Sequence, residues 1–279
     1  MLKLVLPLLA ATALALPASA QTLERIKETG ELKLGFRTDA APLSFLDQDR
    51  KPAGYSPLLC ARIAQAIANK LQITDLLATF HAVDATDRFE KVASGDIDLL
   101  CGAATITQKR REIVDFSVPT YVDGTAMMLP KDADTDLTKL AGKKIGVRSG
   151  TTTQDALANT MAAADVTAEV VRFADHKAGL AAMKTGEISA YFADQAILFF
   201  LLHASDSTQS LKVTGEIMTI EKQGLAMARG DSDFRLLVDS AISELFEDGT
   251  MQDLFTRALP GAEPGAAIRA MHLMSPTIP

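Results

Sequence analysis

The chain has 279 residues and a formal net charge of −7, and no cluster of Lys and Arg long enough to form a nucleic-acid surface. Beyond its first twenty residues the longest apolar candidate, Ala196 to Ala204 (AILFFLLHA), is about half of the ~20 residues that a bilayer helix needs. Composition therefore argues against a nucleic-acid partner and against an internal membrane span.

At the N-terminus, Met1-Leu2-Lys3 opens a charged region, an apolar run follows, and Ala18-Ser19-Ala20 stands before Gln21 as an A-x-A cleavage site. Residues 1–20 thus read as a cleaved signal peptide, with a periplasmic location expected. Roughly 259 residues remain, enough for one large domain or two smaller ones with real cores.

Glu31 to Arg37 (ELKLGFR) alternates like a strand, and Gly54 to Leu71 carries Leu58, Leu59, Ile63, Ile67 and Leu71 at helical spacing. Asp87 to Gly95 reads as a short helix stopped by glycine, feeding the strand DIDLLCG. A second unit follows Pro119 to Asp134. It runs through a strand (Lys144 to Arg148), a Ser-Gly-Thr-Thr turn and a helix, then AEVVRFAD (strand), HKAGLAAMKTG (helix), EISAYFAD (strand) and QAILFFLLHA (helix). Asp233 to Leu259 predicts two amphipathic helices parted by Asp248-Gly249, and the Pro/Gly-rich tail beyond is expected to pack poorly. Strands alternating with helices predict an α/β fold with mainly parallel sheets, in two similarly built lobes. The rhythm restarts after Pro130, and the terminal helices follow EIMTIEKQGLAMA. This places one lobe at residues 21–122 and 219–279, and the other at 123–218.

Cys60 and Cys101 are the only cysteines. In an oxidising compartment an even count invites pairing, which would close a loop of about forty residues worth ~3 to 4 kcal/mol. Two buried free thiols are the alternative. His81, His176, His203 and His272 show no ligand-like spacing, so neither a metal nor another cofactor is expected.

The stretch Cys101 to Ser117 (CGAATITQKRREIVDFS) raises the question of what its positive charge is for. In an open α/β sheet, ligands sit beyond the carboxyl ends of strands, and residues 102–105 lie just past such an end. Thr105 offers a hydroxyl and a backbone N–H, and Arg110 a planar fork that can grip a carboxylate. The plainer reading of Arg110 is a surface charge pairing with Glu112 or Asp115. Ser149-Gly150-Thr151-Thr152 precedes a helix, where free N–H groups favour anions, although a simple helix cap accounts for the same residues. Asp194 ends a strand and could equally cap the helix that starts at Gln195.

The ordered set GELKLGFRTDAAPLSFLDQDRKPAGYSPLL, FEKVASGDIDLLCGAATITQKRREIVDFSVPTY, LAGKKIGVRSGTT, GEISAYFADQA and FEDGTMQDLF resembles the extracellular solute-binding proteins of polar amino-acid ABC transporters. Arg37 before TDAAPLSF, Gly54 to Ser56, Asp87-Arg88, CGAAT and Ala174 to His176 look most like the glutamate/aspartate-binding branch. The resemblance implies a two-lobed periplasmic-binding-protein fold joined by two hinge crossings. The ligand would be an amino acid held between the lobes, and the partner an ABC permease in the inner membrane, with the protein itself a monomer and not an enzyme. It assigns Thr105, Arg110, Thr151 and Thr152 to the ligand's α-carboxylate and Asp194 to its ammonium. The basic groups Arg37, Arg88 and His176 would surround a side-chain carboxylate. Ala103 joins this set, although Ala103 and Ala85 stand where hydroxyl residues are common in that branch. An enzyme on the same scaffold, a cyclohexadienyl dehydratase, is the competing reading; it would use Asp194 or His176 as general acid.

Overall fold

The structure is a computed structural model that describes residues 22–277. The expected signal peptide lies outside the described residues. Two five-stranded sheets dominate the chain. The first runs in the order Leu77–Val83, Glu31–Arg37, Leu99–Leu100, Ala226–Ala228, Val114–Phe116. Its first three strands are parallel, and Ala226–Ala228 is antiparallel to both neighbours. The second repeats this plan with Glu169–Phe173, Lys144–Arg148, Ala190–Asp194, Thr125–Pro130 and Leu211–Val213. Again three strands are parallel and the last two join antiparallel.

Both sheets are covered by apolar layers on each face, as parallel strands require. On one face of the first sheet, helix Tyr55–Leu71 buries Leu59, Ile63 and Ile67 with Leu32, Leu34, Phe234, Val238 and Phe255. On the other, Phe89 and Val92 of helix Arg88–Ala93 meet Val83, Ile97, Leu100 and Phe116. The second sheet has a layer around Leu180, Tyr191 and Leu198, and another around Leu140, Ile145, Leu157 and Phe192. Two segments, Tyr121–Asp123 and Glu221–Gln223, pair antiparallel and connect the sheets, Glu221 opposite Asp123 and Gln223 opposite Tyr121. These are the two hinge crossings of a two-lobed fold.

Most predicted elements fall where the periodicity puts them, including Lys144–Arg148, Gln195–Ala204, Ser232–Glu247 and Thr250–Ala258. Three findings differ. The strand expected over DIDLLCG is only Leu99–Leu100. Leu77–Val83 forms an edge strand that the pattern hides, because four of its seven residues are exposed and one face mixes Thr79 and His81 with Leu77 and Val83. The tail is not loose throughout: Ala266–Leu273 is a helix whose Ile268 and Met271 are buried in the first core, since its spacing gives it one apolar face. Cys60 and Cys101 are bonded, with Cα atoms 6.1 Å apart and both residues fully buried, so the disulfide ties the helix Tyr55–Leu71 to the loop that follows Leu100.

Candidate ligand cleft

The cleft is built from strand ends. Arg37, Arg148 and Asp194 are each the last residue of a parallel strand, and Thr105 follows Leu99–Leu100 by five residues. Carboxyl ends of two facing sheets thereby aim their side chains at one space. All nine residues predicted from the sequence line it: Arg37, Arg88, Ala103, Thr105, Arg110, Thr151, Thr152, His176 and Asp194, together with Ile197. The enclosed volume is about 10 Å³, against several hundred for an ordinary small-molecule site. As the side chains stand, that volume has no room for an amino acid.

At one end, Arg110 Nη1 donates to the Thr105 carbonyl at 2.8 Å rather than to Glu112 or Asp115. Its flanking bases Lys109 and Arg111 are exposed, while Arg110 is half-buried. The Arg110 and Arg88 guanidinium carbons sit 4.8 and 4.6 Å from the centre of the Phe89 ring, so one aromatic side chain positions both cations.

At the hinge, Glu221 gathers four hydroxyl donors. Oε2 accepts from Thr105 and Thr152 at 2.6 Å each, and Oε1 from Thr125 at 3.1 Å and Thr219 at 3.0 Å. A threonine hydroxyl has one proton, so Thr105 and Thr152 present oxygen lone pairs to everything else. Thr151 instead caps the helix Thr152–Ala163: its oxygen accepts from the Gln154 N–H, and its proton goes to the Arg148 carbonyl. Asp194 makes no side-chain cap to the helix after it; it accepts from the Gln223 amide at 2.7 Å. Burial and the nearby Glu221 charge push Asp194 up to about 7, against the pull of Arg37, the Gln223 bond and Arg110. Burial, followed by Asp194, raises Asp123 as well.

At the far end four charged side chains form a chain across the cleft. Asp39 Oδ1 accepts from Arg37 Nε at 3.0 Å and Nη2 at 2.6 Å. Asp39 Oδ2 accepts from Arg148 Nε at 3.0 Å, and Arg148 Nη2 donates to Asp84 at 2.6 Å. Burial alone would raise Asp39; Arg37 and Arg148 hold it below the usual carboxylate range. Arg88 donates to the Ala85 carbonyl and, at 3.2 Å, to the Gly150 carbonyl of the other lobe. Its Nε is buried without a hydrogen-bond partner, and burial with the cations of Arg37, Arg110 and Arg148 lowers its pKa well below the usual value.

His176 requires a correction. Expected as a basic group, it is held neutral, because complete burial and the Arg37 charge bring its pKa down to about 3. Its Nδ1 lies 3.0 Å from the Tyr191 hydroxyl, and Nε2 is buried without a partner. With the tyrosine donating to Nδ1, Nε2–H is a neutral, buried donor with no acceptor.

Asp39, Arg148, Glu221 and Gln223 were missed from the sequence. Arg148 shares the position of Arg37, a charge closing a buried strand. Glu221 and Gln223 carried no signal, since short hinge crossings lack periodicity. Among the described residues no group of three or more His, Cys, Asp or Glu is arranged to hold a metal ion.

Residues 32–260 match the family described as bacterial extracellular solute-binding proteins, family 3. The chain belongs to that family. Among curated relatives, this family 3 protein is 29% identical to an L-glutamate/L-aspartate-binding protein of Pseudomonas aeruginosa over 245 residues, 86% of this chain and 81% of the relative. It is 28% identical to the L-cystine-binding protein TcyJ of Escherichia coli over 83% of this chain and 84% of that one. Among solved structures, the L-cysteine solute receptor of Neisseria gonorrhoeae superposes with a TM-score of 0.77 at 24% identity, over 88% of this chain and 97% of the receptor, which shows the shared fold. The curated relatives are solute-binding proteins and not enzymes, so this family 3 member is a binding protein of an ABC-type amino-acid importer, and the dehydratase reading has no support among them.

Proposed function

We propose that this family 3 protein captures an acidic amino acid, glutamate or aspartate, in the periplasm and delivers it as a monomer to its permease. Relatives named for glutamate and aspartate, and another named for cystine, leave the choice to the chemistry of the cleft. The observation that carries the choice is the pair of unpartnered polar atoms, Arg88 Nε and His176 Nε2, buried beside Arg37. A buried donor without an acceptor is costly, and a ligand side-chain carboxylate there would relieve both atoms and offset the crowding of arginines.

In this reading Arg110 and the backbone N–H groups of Thr105 and Thr152 take the α-carboxylate. Asp194 and the lone pairs of the two threonine hydroxyls take the ammonium, while Arg37, Arg88 and His176 take the side-chain carboxylate. The lobes would comprise residues 21–122 with 219–279, and residues 123–218. Ligand binding favours the closed arrangement by its greater affinity for it. Isothermal titration of the mature protein with glutamate, aspartate, glutamine and asparagine tests the proposal. The acidic pair should bind at least tenfold more tightly. Preference for a neutral amino acid would refute the acidic reading and leave the binding-protein assignment standing.

A further inference from the structure

Arg148 uses all three nitrogens of a fully buried guanidinium, and none of them requires a ligand. Nη1 donates to the Ser149 carbonyl at 2.8 Å, which fixes the plane of the fork on the second lobe. The other two nitrogens leave that lobe: Nε meets Asp39 at 3.0 Å, and Nη2 meets Asp84 at 2.6 Å. Asp39 lies just past the strand Glu31–Arg37 and Asp84 just past Leu77–Val83, so one arginine clasps the ends of two adjacent strands of the first sheet. Asp84 is anchored in turn by the Thr86 N–H at 2.9 Å and hydroxyl at 2.7 Å. Asp39 is anchored by Arg37.

We propose that Arg148 is a positioning residue for closure, a clasp between the lobes that stabilises the closed arrangement whatever the ligand. The role of Arg37 toward a ligand rests on the proposed function; the clasp does not. A guanidinium suits the task because its rigid planar fork spans two separate carboxylates with fixed geometry, whereas a lysine offers one compact ammonium with no fixed plane. The two arms differ in setting. The Asp39 side chain is 14% exposed and the Asp84 side chain 47%, so salt screens the Asp84 arm more strongly. The consequence for binding is uniform: if closure competence falls by some factor, the apparent dissociation constant of every ligand rises by that factor.

The test measures lobe separation in ligand-free protein. The chain has no free thiol, so Glu90→Cys and Asn159→Cys, exposed on the two lobes, supply spin-label sites for a distance distribution. On this background Arg148→Met should move the distribution toward longer distances, Arg148→Lys should fall between it and the parent, and Asp84→Asn should shift it part of the way. Titration should then show Arg148→Met weakening glutamate, aspartate and glutamine by one common factor, about tenfold. Far-UV circular dichroism confirms folding, and Asp84→Asn, at a half-exposed side chain, carries the test should Arg148→Met misfold. An unchanged distance distribution in both Arg148→Met and Asp84→Asn would overturn the clasp. So would an opened distribution accompanied by loss of the acidic ligands alone, which would make Arg148 a ligand contact. Failure of wild type to prefer acidic ligands would refute the proposed function and leave the distance result to decide this one.

Discussion

The Asp194 carboxylate, from the second lobe, accepts a 2.7 Å hydrogen bond from the Gln223 amide on a hinge crossing. Its surroundings are of both signs: Asp123 and Glu221 oppose its charge, and Arg37, Arg88 and Arg110 favour it. Burial and the Glu221 charge push its pKa up to about 7, so part of its population carries a proton near neutral pH. An ammonium ligand favours the ionised form, so binding lowers that pKa and expels a proton. The sign follows: affinity for amine-bearing ligands is fully present above about pH 7 and declines as pH falls through that value. Titrations at pH 7 in buffers of different ionisation enthalpy should show net proton release on ligand binding. Asp194→Asn should abolish the release, and proton uptake by wild type would refute the assignment.

Arg110 and Arg88 flank the same phenyl ring yet have separate proposed tasks. Arg110→Ala should weaken every amino acid by about 3 kcal/mol, a factor on the order of 100, because a buried α-carboxylate loses its charged partner. Arg88→Met keeps an unbranched apolar side chain and removes the charged fork, so it should penalise glutamate and aspartate about tenfold more than glutamine. Equal losses for acidic and neutral ligands in Arg88→Met would show that the far end does not read side-chain charge.

Of the nine candidate residues, Thr105, Arg110, Thr151, Thr152 and Asp194 carry a local signal, a position just past a strand end or at a strand-to-helix turn, whereas Arg37, Arg88, Ala103 and His176 were legible only through the family resemblance. What the sequence hides is where their hydrogen bonds go. Thr105 and Thr152 read as donors for a carboxylate, yet their protons belong to Glu221, which is 116 and 69 residues away. His176 reads as a cation until the fold surrounds it with Arg37, Arg148 and complete burial. Both depend on contacts between the lobes or at the hinge, which no window of neighbouring residues contains.

The tail helix Ala266–Leu273 packs Ile268 and Met271 into the core shared with Tyr121 and Phe255, so it supports the hinge crossing Tyr121–Asp123. Ile268→Ala should lower unfolding stability by about 2 kcal/mol. A denaturant midpoint unchanged from wild type would show the tail to be dispensable.

Thiol titration of denatured, unreduced mature protein should find no free cysteine, since Cys60 and Cys101 are bonded. Replacing both by serine should cost about 3 to 4 kcal/mol, as the loop between them spans a sequence separation of 41. Because the bridge lies within the first lobe, ligand affinity of the folded double variant should stay within about twofold of wild type.

Gly150 supplies a test of closure that touches no polar side chain. It sits at φ +71°, and a Cβ placed there would stand 2.8 Å from the Ala85 carbonyl oxygen and 2.9 Å from Thr86 Cγ2, both on the opposite lobe. Gly150→Ala therefore carries two costs: about 1 kcal/mol for an L-residue in the left-handed region, and a wedge between lobes that only separation relieves. Gly186, at φ +73° with nothing within 4 Å of where its Cβ would stand, isolates the first cost. Both variants should lose similar, small amounts of unfolding stability. Only Gly150→Ala should lose affinity for all ligands, and only it should show no compaction in small-angle scattering when ligand is added. If Gly150→Ala bound and compacted like Gly186→Ala, the lobes would not meet at Gly150 and Ala85 in the ligand-bound protein.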